Sequence, residues 1–142
     1  MDAYFSQFVH VKEFMASVVT LARNQGYTTT LFGRRRYLPE LKSDNFRIRQ
    51  MGERMALNAP VQGTAADIIK KSMIELDASL RNEGLASTLL LQIHDELILE
   101  SPVEELEVAQ KLVVETMEGV VKLDVPLEVD VATGPDLASV KS

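Results

Sequence analysis

Apolar residues recur at helical spacing through Phe5, Phe8, Val9, Val11, Phe14, Met15, Val18, Val19 and Ala22. This is the signature of a helix over residues 5–22, and Gly26 stands where a left-handed residue closes such a helix. The period then changes. Thr28, Thr29 and Thr30 are β-branched, so residues 27–31 read as a strand, Phe32-Gly33 as a turn, and residues 34–38 as a return strand ended by Pro39. After a loop, Ser43 or Asp44 is placed to cap a helix running to about Leu57. That helix must yield before Pro60, because proline disfavours the α conformation in the residue preceding it. A second helix is expected from about Thr64, which would cap it with Asp67 in the first turn, to Gly84.

The second half continues the alternation of elements. Residues 87–93 and 97–99 are short apolar runs separated by His94-Asp95-Glu96, the layout of a hairpin with charged residues at its tip. Ser101-Pro102-Val103-Glu104 combines a capping box with proline at the first helical position. It predicts a helix to about Glu118 that buries Leu106, Ala109, Leu112, Val113 and Met117. In residues 126–132, Leu127, Val129 and Val131 alternate with Glu128 and Asp130, as in a one-sided strand. The expected class is α+β: an antiparallel sheet with helices packed on one face, plus an N-terminal helix and a basic hairpin.

Composition narrows the chemistry. The 142 residues contain no cysteine, so a metal could be held only by carboxylates or by the two histidines, which selects a hard, oxygen-preferring ion. No run approaches the roughly 20 apolar residues of a membrane span, and the first residues lack the basic-then-apolar order of a signal peptide. A cytoplasmic protein with no membrane partner is expected. The net charge of −6 disguises an asymmetry: residues 1–54 carry nine Lys/Arg and five Asp/Glu, whereas residues 55–142 carry six and sixteen. A basic half therefore precedes an acidic one.

Three features could carry chemistry. Asp95 and Glu96 are adjacent carboxylates at a hairpin tip, which is either a solvated turn or an oxygen-rich site for Mg²⁺, an ion that takes one or two protein carboxylates together with substrate phosphates. His94 beside them is by itself an ordinary structural histidine. Arg54, Asn58 and Gln62 are spaced four apart, with Pro60 setting the last at or beyond a helix break. They are either a solvated helix face or donors for the minor groove, where purine N3 and pyrimidine O2 accept whatever the base pair. Arg34, Arg35 and Arg36 beside Tyr37 are either the outer face of a hairpin or a phosphate-contacting cluster.

Taken in order, Gly33-Arg34-Arg35-Arg36, Glu53-Arg54, residues 58–67 (Asn-Ala-Pro-Val-Gln-Gly-Thr-Ala-Ala-Asp) and residues 91–97 (Leu-Gln-Ile-His-Asp-Glu-Leu) resemble the C-terminal part, palm and distal fingers, of the bacterial family A DNA polymerases. The resemblance runs from about Phe5 to Lys141. It departs at Val9, Gly52 and Leu137, where the family often has proline, alanine and tryptophan.

The resemblance implies one domain segment over residues 1–142. Residues 1–84 would supply helices and the basic hairpin, and residues 85–142 the palm hairpin, a helix and a final strand. Asp95 would bind the catalytic Mg²⁺ with Glu96 as its accessory neighbour, and His94 would lie near the primer terminus. Arg54, Asn58 and Gln62 would touch primer and template around the newest base pair. In the family the second metal-binding aspartate and the nucleotide-holding fingers helix lie upstream of these motifs. The implied function is a segment of a DNA-directed DNA polymerase, inactive in isolation, whose partners in the complete enzyme are primer-template DNA and deoxynucleotide. A non-catalytic primer-template DNA-binding module is the alternative, and a small phosphohydrolase built on His94, Asp95 and Glu96 is a weaker third for want of a second ligand cluster. Separated from its upstream partners, the segment is expected to associate with itself, burying Phe5, Phe8 and Val18.

Overall fold

The computed structural model describes residues 9–140, and these group into two compact units, residues 9–67 and 68–140, each described by itself. The elements are α1 (Val9–Gln25), β1 (Tyr27–Thr29), β2 (Arg35–Tyr37), a 3₁₀ turn (Pro39–Lys42), α2 (Phe46–Asn82), β3 (Thr88–Ile93), β4 (Glu96–Glu100), a second 3₁₀ turn (Val103–Glu105), α3 (Leu106–Gly119) and α4 (Leu137–Val140). The unit boundary falls inside α2. Helices with small antiparallel sheets make this an α+β protein, as expected, although the sheet consists of two separate two-stranded hairpins. Among the described residues no helix is long and apolar enough to cross a membrane.

In the first unit α1 ends as its sequence requires. Gly26 takes φ +81°, and its N–H reaches Ala22 O at 2.8 Å. The expected burial of Phe5 and Phe8 lies outside the described residues. The β1–β2 hairpin is antiparallel with Thr28 opposite Arg36, and its loop closes through Gly33 at φ +82°. Ala22, Leu38, Leu41 and Ala56 form the core, flanked by Met55. Gly52 has a packing reason: an added Cβ would lie 3.0 Å from both Leu41 N and Glu40 Cβ, so its lack of a side chain lets the 3₁₀ turn rest on α2.

Two expectations about α2 are corrected. Its cap is neither Ser43 nor Asp44 but Asn45, whose Oδ1 accepts Arg47 N–H at 2.9 Å. Nor does the helix break at Pro60; it runs 37 residues through it. Proline removes one intrahelical donor, but tertiary bonds hold the next turn in place. Thr64 Oγ1, expected as a cap, instead donates to Pro60 O at 2.5 Å and accepts Leu31 N–H at 2.9 Å. Arg34 reaches Gly63 O at 3.0 Å.

In the second unit α2 ends near Gly84 as expected, in a Schellman arrangement: Leu85 N–H to Leu80 O at 3.1 Å and Gly84 N–H to Arg81 O at 3.1 Å. β3 and β4 pair antiparallel from Thr88↔Glu100 to Ile93↔Glu96, with an irregularity between Leu89 and Leu91. The capping box at Ser101 does not form. The Ser101 hydroxyl lies 2.8 Å from Ser87 Oγ, a 3₁₀ turn precedes α3, and Glu105 turns to the Ala86-Ser87 backbone. On α3, Ala109 is buried while Leu106, Leu112, Val113 and Met117 are half-buried. The expected strand over residues 126–132 is absent from the ladders of the described residues. Its alternation is matched by one-sided burial only as far as Val129: Leu127 and Val129 are half-buried and Glu128 and Asp130 exposed, but Val131 is exposed too, and Val129 N–H donates to Glu118 Oε1 at 3.1 Å.

Candidate functional site

The candidate residues lie in two places, one in each unit. In the first unit, the continuity of α2 sets Arg54, Asn58 and Gln62 on one face, which a break at Pro60 would have divided. All three are exposed, and among the described residues none is engaged in a hydrogen bond or ion pair. They are a row of donors without internal acceptors.

The three arginines of the hairpin differ in kind. Arg34 is committed to the fold: Nε donates to Asp67 Oδ1 at 2.7 Å and a terminal nitrogen to Gly63 O at 3.0 Å, latching the loop to α2. Arg35 stacks 4.7 Å above the Tyr27 ring, and a hydrogen bond with Tyr37, reinforced by the Tyr27 and Tyr37 phenols, raises its guanidinium above the ordinary value. Arg36 is exposed and makes no ion pair among the described residues. With Thr28, Thr30, Arg34, Ala59, Gln62 and Gly63 it lines a cleft of about 220 Å³. Strand alternation explains the division: Arg35 and Tyr37 share one face, Arg34 and Arg36 the other. Spacing could not separate Arg34 from its neighbours, and it missed the parts of Thr30, Gly63, Thr64 and Asp67; a glycine four residues before Asp67, within a helical run, was the available signal.

In the second unit, His94 and Asp95 form the two-residue link between β3 and β4, and Glu96 opens β4. His94 holds φ +54°. All three side chains are exposed, and neither carboxylate takes a hydrogen bond or salt bridge from any described residue. Two adjacent anions with no internal donor suit a hard cation whose remaining positions are filled by water and phosphate oxygens. The donor set is partial, since no group of three Asp, Glu, His or Cys side chains placed to hold a metal occurs among the described residues. Gln92, unmarked by spacing, donates from Nε2 to His94 O at 2.7 Å.

The sequence profile of DNA polymerase family A matches residues 1–139. This chain belongs to DNA polymerase family A. It is 55% identical over 135 residues to DNA polymerase I of Bacillus subtilis and 54% identical over 135 residues to that of Geobacillus stearothermophilus. In both cases the match covers 95% of this chain but 15% of the relative's length. Among solved structures, the chain is similar to the POL domain of Pol1 from M. smegmatis in complex with DNA primer-template and dNTP. The TM-score is 0.87 at 51% identity, covering 90% of this chain and 23% of that one. The family A segment thus spans a small part of the proteins it matches.

Proposed function

We propose that these residues form part of a DNA-directed DNA polymerase, contributing one carboxylate corner of a two-metal site for template-directed deoxynucleotidyl transfer. The supporting observation is the hairpin tip: Asp95 and Glu96 exposed, side by side and without internal donors, within a family A segment. Asp95 and Glu96 would hold a divalent ion that, when bound, would supply charge neutralisation for a displacement in which the primer 3′ oxygen bonds to the α-phosphorus and pyrophosphate departs. Asp95 would provide the principal ligand oxygens and Glu96 an accessory carboxylate, a donor chemistry that Mg²⁺ fits. His94 lies beside the primer terminus. Arg54, Asn58 and Gln62 donate to minor-groove acceptors that every correctly shaped base pair presents. Arg35 and Arg36 face phosphates, while Arg34 holds their hairpin to α2.

Asp95→Asn in a polymerase domain carrying this segment tests the reading. Primer extension is expected to be lost while primer-template affinity is retained. Extension at the parent rate would defeat it.

A further inference from the structure

The turn carrying Asp95 holds the one non-glycine residue with positive φ among the described residues. His94, at +54°, is the first of two residues linking the Ile93↔Glu96 pair. Hairpin turns of the II′ kind require positive φ at that position, and glycine ordinarily supplies it. A histidine there meets crowding between its Cβ and the following carbonyl that glycine avoids. The conformation therefore depends on something that holds it. Gln92 Nε2 donates to His94 O at 2.7 Å. That carbonyl belongs to the peptide joining His94 to Asp95, so the bond fixes the plane from which the Asp95 side chain departs. Gln92 is itself seated in the ladder opposite Leu97, which anchors the bond in the sheet rather than in the turn.

We propose that Gln92 is a positioning residue whose side-chain amide, through the His94 carbonyl, holds the turn in the conformation that presents Asp95 and Glu96 to metal. This rests on the metal-binding role proposed for Asp95. Gln92 touches neither metal nor substrate in this role. Without its donor the peptide plane samples more orientations and the two carboxylates disperse, weakening metal binding. The contacts of Arg36, Arg54 and Asn58 with DNA are independent of that turn.

The test uses a polymerase domain carrying this segment. Gln92→Met keeps the length of the side chain and removes the donor. The Mg²⁺ concentration for half-maximal extension is expected to rise roughly fivefold, the shift one neutral hydrogen bond sustains. At saturating Mg²⁺, nucleotide KM and primer-template affinity stay unchanged. If Gln92→Met lowers the melting midpoint, Gln92→Glu, polar and solvated but unable to donate when ionised, should raise the Mg²⁺ requirement in the same way. An unchanged requirement in a folded variant, or a loss appearing in primer-template affinity instead, overturns the proposal. Asp95→Asn in the same assay keeps the two ideas apart: if it extends primers normally, the metal role of Asp95 has failed whatever Gln92 does.

Discussion

The methyl group of Thr30 lies where a side chain on Gly63 would stand: a Cβ built there comes within 2.6 Å of Thr30 Cγ2. Thr30 has little freedom to move, because it is buried and its hydroxyl accepts Arg34 N–H at 3.2 Å. Gly63→Ala should therefore destabilise the protein by about 1–3 kcal/mol, the usual cost of overpacking, despite alanine's better helix propensity. Thr30→Ser deletes the obstructing methyl and keeps the hydroxyl. Urea denaturation of the single and double variants should show the Gly63→Ala penalty largely relieved in the Thr30→Ser background; equal penalties in both would disprove the contact.

Arg34 and Arg36 should separate by assay. Arg34→Ala removes the donor to a mostly buried Asp67 carboxylate and to Gly63 O, so it should cost roughly 1 kcal/mol of stability. Arg36→Ala should leave the melting midpoint in place and lower the slope of log affinity for primer-template DNA against log salt by about 0.9. An unchanged slope with Arg36→Ala would remove this arginine from the proposed phosphate contacts.

Glu105 ties the loop before β3 to the start of α3, accepting Ser87 Oγ at 2.6 Å and the N–H groups of Ala86 and Ser87 at 2.9 Å each. The Ser87 hydroxyl first, then the Ala86 N–H, hold its carboxyl below the ordinary value of 4.5. A depressed folded-state pKa contributes stability that is fully present above the unfolded value and is lost as pH falls through the folded one. Glu105→Gln should be less stable than the parent at neutral pH, and the gap in urea midpoint should close as pH drops well below 4.5. A gap independent of pH would mean the carboxylate charge is not what the loop uses.

These elements show which features were legible. The hairpin tip was, because apolar runs on both sides of His94-Asp95-Glu96 mark two strands, although pairing takes Glu96 into the second strand and leaves a link of two residues, not three. So was the end of α2, since Gly84 marks a left-handed cap whatever surrounds it. Pro60 misled because its effect on a helix is local, whereas the bonds that carry α2 through it come from Leu31 and Arg34, about thirty residues away. Arg34 was hidden among three arginines for the same reason: its partner Asp67 lies 33 residues on. Ser43, Asp44 and Asn45 are all good caps by type, and only backbone geometry selects Asn45. Residues 126–132 carry the alternation of a strand, but alternation reports which side is buried and cannot supply a hydrogen-bonding neighbour.

The 142 residues alone should not incorporate nucleotides. Among the described residues Asp95 and Glu96 have no third acidic or imidazole ligand placed with them, and a two-metal reaction needs both the attacking and the leaving oxygen clamped. Primed template, four deoxynucleotides and Mg²⁺ or Mn²⁺ suffice for the assay. Extension that disappears in Asp95→Asn would show that this chain is sufficient.

The same chain, alone in solution, should associate with itself through α1. Val11, Phe14, Val18 and Leu21 are three, four and three residues apart, the spacing of a helix–helix seam. Yet Phe14 is 55% and Leu21 58% exposed, and Val18 is only half-buried. The buried Ala22 stands four residues after Val18, at the C-terminal end of the same stripe, so the seam is the exposed continuation of the side on which this helix is buried. A two-fold pairing would cover the seam of both copies at once. Phe14→Glu with Leu21→Glu places charge at the centre of that contact without touching the buried Ala22. Covering the exposed part of each large side chain is worth about 1 kcal/mol and is counted in both copies, so the double variant should weaken association more than about tenfold. Sedimentation velocity over a range of concentrations reads the effect, and circular dichroism shows whether helix content is kept. A parent chain that sediments as a monomer at every concentration would mean that the exposed seam has no affinity for a second copy of itself.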